Sequence, residues 1–238
     1  MHSGTATTIP GIVSKETWDN EFGTVHAIPS STRMEPAKAL VLFTELLGIR
    51  APLSVLDAGT GNGRNALYLA KRGIDVTALD FSDLVLEKTL RGAKEAGLSD
   101  KVSVVKHSLP ERTPFRAESF DLVLDAYLSC HFLRSDIWEH FWAEMDRVTK
   151  PGGQLLSIAF SLEDEYYRRL LTDSPDGTLV CDPANGIWKR LYSEQQIKTL
   201  FTRQFHLEYF AKFEFSDSVF EKPYRRVVFT SVLRKLSS

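Results

Sequence analysis

The sequence predicts an α/β protein with a mostly parallel β-sheet, to which an antiparallel pair of strands is added near the C-terminus. Three observations support this prediction. Short apolar runs alternate with helix-forming segments between residues 51 and 160, which is typical of parallel strands joined by helices. A glycine-rich turn directly follows the first apolar run. Two β-rich runs, 205–215 and 225–233, come last.

The alternating part of the chain divides into strands and helices that follow one another in a regular order. The predicted elements are strand 53–57, helix 63–72, strand 74–80, helix 82–96, strand 101–106, strand 120–125, helix 135–149 and strand 154–160. Ser82 and Ser135 are predicted N-caps, because a short hydroxyl side chain can accept from the N–H groups of a first turn. Gly73 and Gly97 are predicted to end helices.

The segments that flank this alternating part are less regular. Residues 1–14 are predicted to be disordered, and a helix is predicted to run to about Leu47, with Thr32 and Glu35 at capping-box spacing. Residues 162–171 begin as a helix, and the Gly-, Pro- and Asp-rich clusters of 172–190 predict a turn-rich loop rather than a strand interior.

A last helix is predicted to begin at Ser193, with Gln196 completing its cap, and to run to about Arg203. The two β-rich runs after it are predicted to pair as an antiparallel hairpin.

The glycine-rich turn is the most informative stretch of the chain. Asp57 ends the first strand, and glycines follow at alternate positions from Gly59 to Gly63, ahead of a helix. Such glycines let the backbone turn tightly and bring its N–H groups close to a ligand. The second strand ends at Asp80, about 20 residues later, where a nucleotide-like ligand presents its ribose hydroxyls. The sequence therefore predicts a cofactor that contains a ribose.

The spacing of the glycines narrows the choice of cofactor. A dinucleotide fingerprint is spaced G-x-G-x-x-G, with the pyrophosphate at the end of the helix. Here the spacing is G-x-G-x-G, and Asp57 stands two residues before Gly59. A carboxylate at that point would repel a pyrophosphate, but it suits a cofactor that carries an ammonium group.

This spacing resembles the first motif of the class I S-adenosylmethionine (SAM)-dependent methyltransferases, and residues 63–80 are similar to their small-molecule branch, which includes tellurite-resistance and thiopurine-type enzymes. Phe120–Asp125 and Lys150–Gly153 resemble two later motifs of the family, in the same order. The resemblance implies a Rossmann-like, doubly wound, mostly parallel seven-stranded sheet with a C-terminal antiparallel hairpin. It also implies SAM as cofactor and S-adenosylhomocysteine (SAH) as product.

The resemblance places the cofactor-binding residues at the carboxyl ends of the strands and in the N-terminal segment. They are Trp18, Arg33, Asp57, Gly59, Thr60, Gly61, Asn62, Gly63, Asp80, Phe81, Ser82, Ser108, Leu109, Asp125 and Ala126. By this resemblance, Gly59–Gly63 would line the methionine part, Asp80 would bind the ribose hydroxyls and Phe81 would pack on adenine. Ser108 stands where the family often has an acid, so Ser108 or the backbone of Leu109 would contact the adenine edge.

Four further contacts are implied by the resemblance. Asp125 and Ala126, after the fourth strand, would approach the sulfonium end of the cofactor. Trp18 and Arg33 would fold over the cofactor and reach its carboxylate, for which a guanidinium is well suited. A packing role for Trp18 and a solvated position for Arg33 are the alternatives.

Two residues are candidates for the chemical step. His131 is the only strand-end histidine near the expected methyl donor, which makes it a candidate general base, and Tyr127 is the second candidate. Either residue could instead serve only in packing. Cys130 and Cys181 form no CxxC pair, and no metal site is predicted. The use of only two cysteines favours a reducing compartment.

The composition of the chain argues against nucleic acid and membranes as binding partners. The net charge is −2, so no overall positive field attracts nucleic acid, and basic groups such as those of residues 224–226 are predicted to lie on a solvated strand face. No apolar run approaches the roughly 18–20 residues of a membrane helix. Residues 1–10 do not resemble a secretory signal, so a cytoplasmic protein is predicted.

The sequence predicts a single domain over residues 1–238. Its parts are the N-terminal lid and helix (15–50), the cofactor-binding core (51–160), a substrate-recognition insertion (161–192), and the last helix with the edge hairpin (193–238). The predicted reaction is methyl transfer from SAM to an O, N or S atom of a small molecule.

Two alternatives to this function stay open. The protein could methylate a nucleic acid or a protein, although Asp125-Ala126-Tyr127-Leu128 lacks the Pro-Pro-aromatic motif of amino-directed DNA methylases. It could also be a non-catalytic regulator that binds SAM. The sequence predicts neither the methyl acceptor nor the oligomeric state.

Overall fold

A computed structural model of the chain describes residues 11–171, 177–199 and 205–236. The helices are α1 (Lys15–Asn20), α2 (Lys38–Leu46), α3 (Arg64–Ala70), α4 (Asp83–Glu95), α5 (Ser135–Val148), α6 (Glu165–Arg168) and α7 (Glu194–Thr199). The strands are β1 (Ser54–Ala58), β2 (Asp75–Asp80), β3 (Val102–Lys106), β4 (Phe120–Ala126), β5 (Thr149–Phe160), β6 (Leu179–Asp182), β7 (Ile187–Arg190), β8 (Phe205–Val219) and β9 (Lys222–Lys235). A π-helical turn, Glu21–Val25, follows α1.

Seven of the strands form one sheet in the order β3-β2-β1-β4-β5-β9-β8. Strands β1 to β5 pair in parallel, whereas β9 is antiparallel to both β5 and β8. The predicted fold, a mostly parallel seven-stranded sheet with a C-terminal antiparallel hairpin, is confirmed. The strand order reverses between β1 and β4, and ligands of such sheets bind outside the carboxyl ends of the strands at this point.

Both faces of the sheet are covered. Val55 of β1 packs into one apolar core with Phe43 of α2, and Leu56 packs into a second core with Phe141 of α5. Because successive strand residues point to opposite faces, the apolar run of β1 supplies both cores. This two-sided burial fixes the strand ends that carry the loops described below.

The largest difference among the core strands is in β5, which begins at Thr149, five residues before its predicted start at Gln154. Thr149 pairs with Phe120, and the register then shifts before Leu122 pairs with Gln154. Pro151 has no N–H group to donate, so the irregularity falls where Pro-Gly-Gly interrupts the strand.

Two of the predicted helix caps were wrong. Helix α2 begins after Ala37, whose N–H donates to the side-chain oxygen of Asn65 at 2.9 Å, so a tertiary contact replaces the Thr32–Glu35 capping box. Ser135 is the first residue of α5, and Arg134 occupies the N-cap position.

The other two caps lie at the predicted positions. Ser82 is the N-cap residue of α4, but its hydroxyl donates to Asp19 instead of accepting from the first turn. The capping box of α7 is confirmed by Ser193 N–H to Gln196 Oε1 at 2.8 Å and Gln196 N–H to Ser193 Oγ at 3.2 Å.

The region predicted as a turn-rich loop contains a β-hairpin, so that prediction was wrong between residues 179 and 190. Strands β6 and β7 pair antiparallel, and residues 183–186 form the turn between them. Leu179, Val180 and Ile187 are buried, and this burial explains why the strands form despite the turn residues around them. Residues 172–176, which include the first predicted turn cluster, lie outside the described residues.

Three further predictions concern the ends of these segments. The predicted helix 162–171 is shorter and comprises α6 alone. The predicted end of the last helix near Arg203 lies outside the described residues. Of residues 1–14, predicted to be disordered, 1–10 also lie outside them, but the prediction was wrong for the rest, because Val13 is buried and Ser14 caps α1. Within the described ranges, no helix combines the length and apolar character needed to cross a membrane.

Candidate functional site

A cavity of about 250 Å³ opens at the carboxyl ends of the parallel strands. One water molecule needs roughly 10–15 Å³, so the space is of ligand size. Most of the predicted site residues line it, namely Trp18, Arg33, Gly59, Thr60, Gly61, Asn62, Asp80, Phe81, Ser82, Ser108, Leu109, Ala126, Tyr127 and His131. Asp57, Gly63 and Asp125 were also predicted, but they lie behind the cavity wall.

The glycine loop is shaped by positions that a side chain could not occupy. Gly59 and Gly61 have φ values of 67° and 57°, in the left-handed region that favours glycine. A Cβ atom on Gly59 would lie 2.8 Å from a methyl carbon of Leu128, and one on Gly61 would lie 3.0 Å from the ring of Phe22. The loop therefore forms a backbone cradle against the cavity.

Asp80 holds the glycine loop to the end of β2. Its Oδ2 accepts from the N–H of Gly61 and its Oδ1 from the N–H of Ser82, each at 3.1 Å. Burial raises the pKa of Asp80, and these N–H groups act in the opposite direction by stabilising the carboxylate. Each carboxylate oxygen has a further lone pair. A pair of ligand hydroxyls could therefore bind there.

Asp57 acts on the cavity through its neighbour. It is buried and accepts from the hydroxyl of Thr60 at 2.6 Å, and Thr60 lines the cavity. Burial raises the pKa of Asp57 to about 7, while the Thr60 hydrogen bond and the charge of Arg64 oppose the shift. Gly63 also serves the packing, because a Cβ atom there would lie 2.5 Å from Thr89 Oγ1.

Asp125 does not reach the cavity, contrary to the implied contact with the sulfonium end. It is completely buried, and Oδ1 accepts from the N–H groups of Leu128 at 3.1 Å and Ser129 at 2.9 Å. Oδ2 accepts from the hydroxyls of Ser129 and Ser157, both at 2.7 Å. Asp125 is thus a positioning residue, and it anchors the turn that brings Leu128 and His131 to the cavity.

The N-terminal segment contributes Trp18 and Arg33, as predicted from the resemblance. Trp18 meets the ring of His131 edge to face, with 4.8 Å between ring centroids. Arg33 is already engaged, because its guanidinium forms an ion pair with Asp217 and donates to the carbonyl of Ser218 at 3.3 Å. Sequence reasoning missed Asp217, which lies 184 residues from its partner.

A buried carboxylate joins the N-terminal segment to the β6–β7 hairpin. Glu21 accepts from the N–H of Ile28 at 2.7 Å and from the side-chain amide of Asn185 at 2.9 Å. The two segments that Glu21 connects also supply cavity walls, through Phe22 on one side and Lys189 on the other. Two segments of the cavity wall are therefore hydrogen-bonded to each other.

His131 is held in one tautomer. Its Nδ1–H donates to the carbonyl of Trp188 at 2.8 Å, which leaves Nε2 without a proton. Burial, with the nearby charge of Lys189, lowers the pKa of His131 to about 3. The imidazole is neutral at physiological pH, and it is a weak base.

Tyr127 lies at the end of β4 in a left-handed conformation, with φ of 68°. Its ring stacks on Phe160, with 4.8 Å between centroids and 25° between planes. Burial raises the pKa of Tyr127 to about 12. Its hydroxyl therefore keeps its proton at neutral pH and can donate a hydrogen bond.

Several residues that line the cavity were not predicted from the sequence. They are Phe22, Arg64, Phe160, Tyr167, Lys189 and Arg226. Of these residues, Phe160 could have been predicted, because it stands at the end of a predicted strand and such ends face the site. Arg226 was predicted to be solvated, but it is 4% exposed and pairs with Asp164, with 2.8 Å between Nε and Oδ2.

Residues 55–153 match a family model described as a methyltransferase domain. The sterol 24-C-methyltransferase of Yarrowia lipolytica is 28% identical over 167 residues, which cover 68% of this chain and 42% of that protein. The sarcosine/dimethylglycine N-methyltransferase of Aphanothece halophytica is 36% identical over 107 residues, covering 44% of this chain and 37% of that protein. The chain spans less than half the length of these curated relatives.

A solved structure has the same architecture over nearly the whole chain. It is the Burkholderia thailandensis 1,6-didemethyltoxoflavin-N1-methyltransferase, crystallised with 1,6-didemethyltoxoflavin and SAH. The TM-score is 0.70 at 18% identity, and 99% of each chain is covered. At this identity the likeness shows the fold. Together with the family match over residues 55–153, it confirms the predicted resemblance to class I SAM-dependent methyltransferases.

Proposed function

We propose that this chain, with its class I methyltransferase domain, transfers the methyl group of SAM to an O, N or S atom of a small molecule. One observation carries the proposal. One cavity joins the glycine cradle and the Asp80 carboxylate to an aromatic compartment around Tyr127 and Phe160. The glycine cradle and Asp80 suit a cofactor with a ribose, and the aromatic compartment offers room for a methyl acceptor beside the cofactor.

The residues of the cradle fit SAM. Gly59 and Gly61 leave the backbone of the cradle bare toward the cavity, because a Cβ atom on them would approach Leu128 to 2.8 Å and Phe22 to 3.0 Å. Asp80 would accept from the two ribose hydroxyls, and Phe81 and Leu109 would supply apolar contacts for adenine. Asp57, which accepts from Thr60, has a pKa of about 7, and a cationic cofactor nearby would favour its charged form.

The carboxylate of the cofactor would be met by an arginine. Arg33 was predicted for this role, but its pairing with Asp217 leaves it less suited. Arg64 also lines the cavity, and its guanidinium donates to the carbonyl of Glu35 at 3.2 Å. Within the described residues Arg64 has no ion-pair partner, so we assign the carboxylate to Arg64.

SAM, when bound, supplies a methyl group that the positive charge of its sulfonium already activates. The chain then has to align the acceptor and exclude water, and alignment can lower a barrier by roughly 7–11 kcal/mol. Trp18, Phe22 and Lys189 of the β6–β7 hairpin line the cavity and would shield the bound acceptor from water. Tyr127 can donate a hydrogen bond to an acceptor that lies near the end of β4.

A small acceptor fits this geometry better than a nucleic acid or protein. The proposed acceptor compartment is part of a cavity of only about 250 Å³, and the Glu21–Asn185 bond ties two of its wall segments together. The β6–β7 hairpin lies within residues 161–192, the segment expected to recognise the substrate. The related enzymes are named for a sterol carbon and for amine or ring nitrogens, so the name of the sterol enzyme adds carbon as a possible acceptor atom.

Transfer of a labelled methyl group tests the function. The full chain is incubated with methyl-labelled SAM and a small-molecule extract, with tRNA, or with cellular protein, and the products are separated by mass. We expect label only in the small-molecule fraction. Label in tRNA or protein would establish the alternative that the substrate is a nucleic acid or a protein. Binding of SAM without any transfer would establish the other alternative, a non-catalytic regulator that binds SAM.

No single side chain is expected to be indispensable for the chemical step. His131→Ala and Tyr127→Phe should each lower kcat by less than about 100-fold, below the usual contribution of a positioned base. The reason is that His131, with a pKa of about 3, is a weak base, and Tyr127, with a pKa of about 12, keeps its proton. The measurement is kcat and KM with an acceptor from the labelling screen.

The exposed His140 supplies a matched control, since His140→Ala should change neither constant. A loss in kcat above about 1,000-fold for His131→Ala, with unchanged SAM affinity, would instead make His131 the general base.

A further inference from the structure

Lys189 is a buried ammonium group in the wall of the cavity. The residue is 1% exposed, and its Nζ donates to the hydroxyl of Tyr167 at 3.0 Å. Within residues 11–171, 177–199 and 205–236, no carboxylate oxygen lies within 4.0 Å of this Nζ. An ammonium has three donors, so two of them are without a partner there.

A buried ammonium group is unfavourable without a partner of opposite charge. A buried charge is normally paired with an opposite charge and fully hydrogen-bonded. The Tyr167 ring, 4.1 Å from Nζ, offers only part of this compensation. A ligand that brings a negative charge to the cavity would supply what is missing.

Arg64 is assigned above to the cofactor carboxylate, and three other basic residues that line the cavity are already neutralised or uncharged. Arg226 is paired with Asp164, and Arg33 is paired with Asp217. His131 is neutral, because burial and Lys189 itself lower its pKa to about 3. Lys189 is therefore left as the unbalanced charge on the β4–β5 side of the cavity.

The walls around Lys189 are aromatic. Tyr127 stacks on Phe160, and Phe160 meets Tyr167 edge to face with 4.8 Å between centroids. These rings line the same cavity as Lys189. A flat, unsaturated ligand would pack well against them.

We propose that Lys189 determines the substrate class, so that the methyl acceptor is an aromatic compound bearing an anionic oxygen group. The anionic oxygen would accept from Lys189 Nζ, and the ring would pack against Tyr127 and Phe160. This assignment rests on the proposed function, since it takes the compartment beside the glycine cradle as the acceptor site.

Small probes of matched shape test the assignment. Benzoate, benzamide and benzylamine are titrated into the SAH-loaded protein and followed by ligand-observed NMR. Benzoate should bind about 10-fold or more tightly than benzamide, the ratio that one charge-assisted hydrogen bond provides, and benzylamine should bind weakest. Equal binding of the three probes would overturn the proposal.

Variants separate recognition from a structural role. Lys189→Met should abolish the preference for benzoate, Lys189→Arg should keep it, and the exposed Lys212→Met should leave it unchanged. Lys189→Met should also melt at the same temperature as the wild type or higher, because it removes an unbalanced buried charge. A lower melting temperature, or a benzoate preference that survives Lys189→Met, would show that Lys189 serves the fold instead.

SAH affinity is measured on the same samples. It should be equal in the wild type and in Lys189→Met, because Lys189 lies outside the glycine cradle. A wild type that fails to bind SAH would refute the proposed function, whereas a lost or retained benzoate preference decides the role of Lys189 alone.

Discussion

Asp80→Ala is expected to weaken SAH binding by roughly 10- to 150-fold, which corresponds to the 1.5–3 kcal/mol typical of hydrogen bonds to a charged group. Asp80 would bind the ribose hydroxyls, and it also accepts from the N–H of Gly61 at 3.1 Å. Its removal therefore takes away both a contact and the anchor of the cradle. Isothermal titration of wild type and variant with SAH measures the change.

A neighbouring acid gives the control for this experiment. Asp83 is exposed at the start of α4 and pairs with Lys106 across 2.7 Å. Asp83→Ala should leave SAH affinity unchanged. If Asp80→Ala binds SAH as tightly as the wild type while remaining folded, Asp80 does not contact the cofactor.

Asp125→Ala is expected to lower the free energy of unfolding by about 3–5 kcal/mol, because it removes a buried acceptor that several donors share. The N–H groups of Leu128 and Ser129 and the hydroxyls of Ser129 and Ser157 all donate to it. Urea unfolding measures the loss. Asp125→Asn keeps one acceptor oxygen and should lose less.

The opposite pattern would restore the role that the resemblance implied. If Asp125→Ala unfolds within 1 kcal/mol of the wild type, about the value of one ordinary hydrogen bond, but binds SAM far more weakly, then Asp125 contacts the cofactor. Asp125 would then have to turn from Ser129 and Ser157 toward the cavity when SAM binds.

Much of the fold could be predicted because its signals are local. The apolar run before Asp57 and the glycines after it specify a strand and a tight turn within a few residues. The placement of Asp80 follows from the length of one strand–helix–strand unit. Parallel pairing then brings these strand ends to one edge, so most predicted cofactor residues line the same cavity.

The parts of the fold and site that could not be predicted depend on contacts between distant residues, which no local sequence pattern encodes. Asp125 ends a strand as Asp57 and Asp80 do, yet Ser157 and Ser129 draw its carboxylate inward. Lys189 belongs to a segment rich in turn residues, and only burial of the β6–β7 hairpin turns it toward the cavity.

Charged residues were hardest to place for the same reason. Arg226 stands in a basic run that is typical of a solvated strand, but Asp164 supplies a buried partner 62 residues away. Arg33 could be expected to meet a cofactor carboxylate until Asp217 was found beside it.

The central claim is that the cavity at the strand ends binds SAM. Calorimetric titration of the full chain with SAM, SAH and NAD, followed by a thermal scan of each mixture, tests it most directly. We predict that SAM and SAH bind at one site and raise the melting temperature by mass action, whereas NAD does neither. The contrary result, NAD binding and stabilising the protein while SAM and SAH do not, would contradict the account.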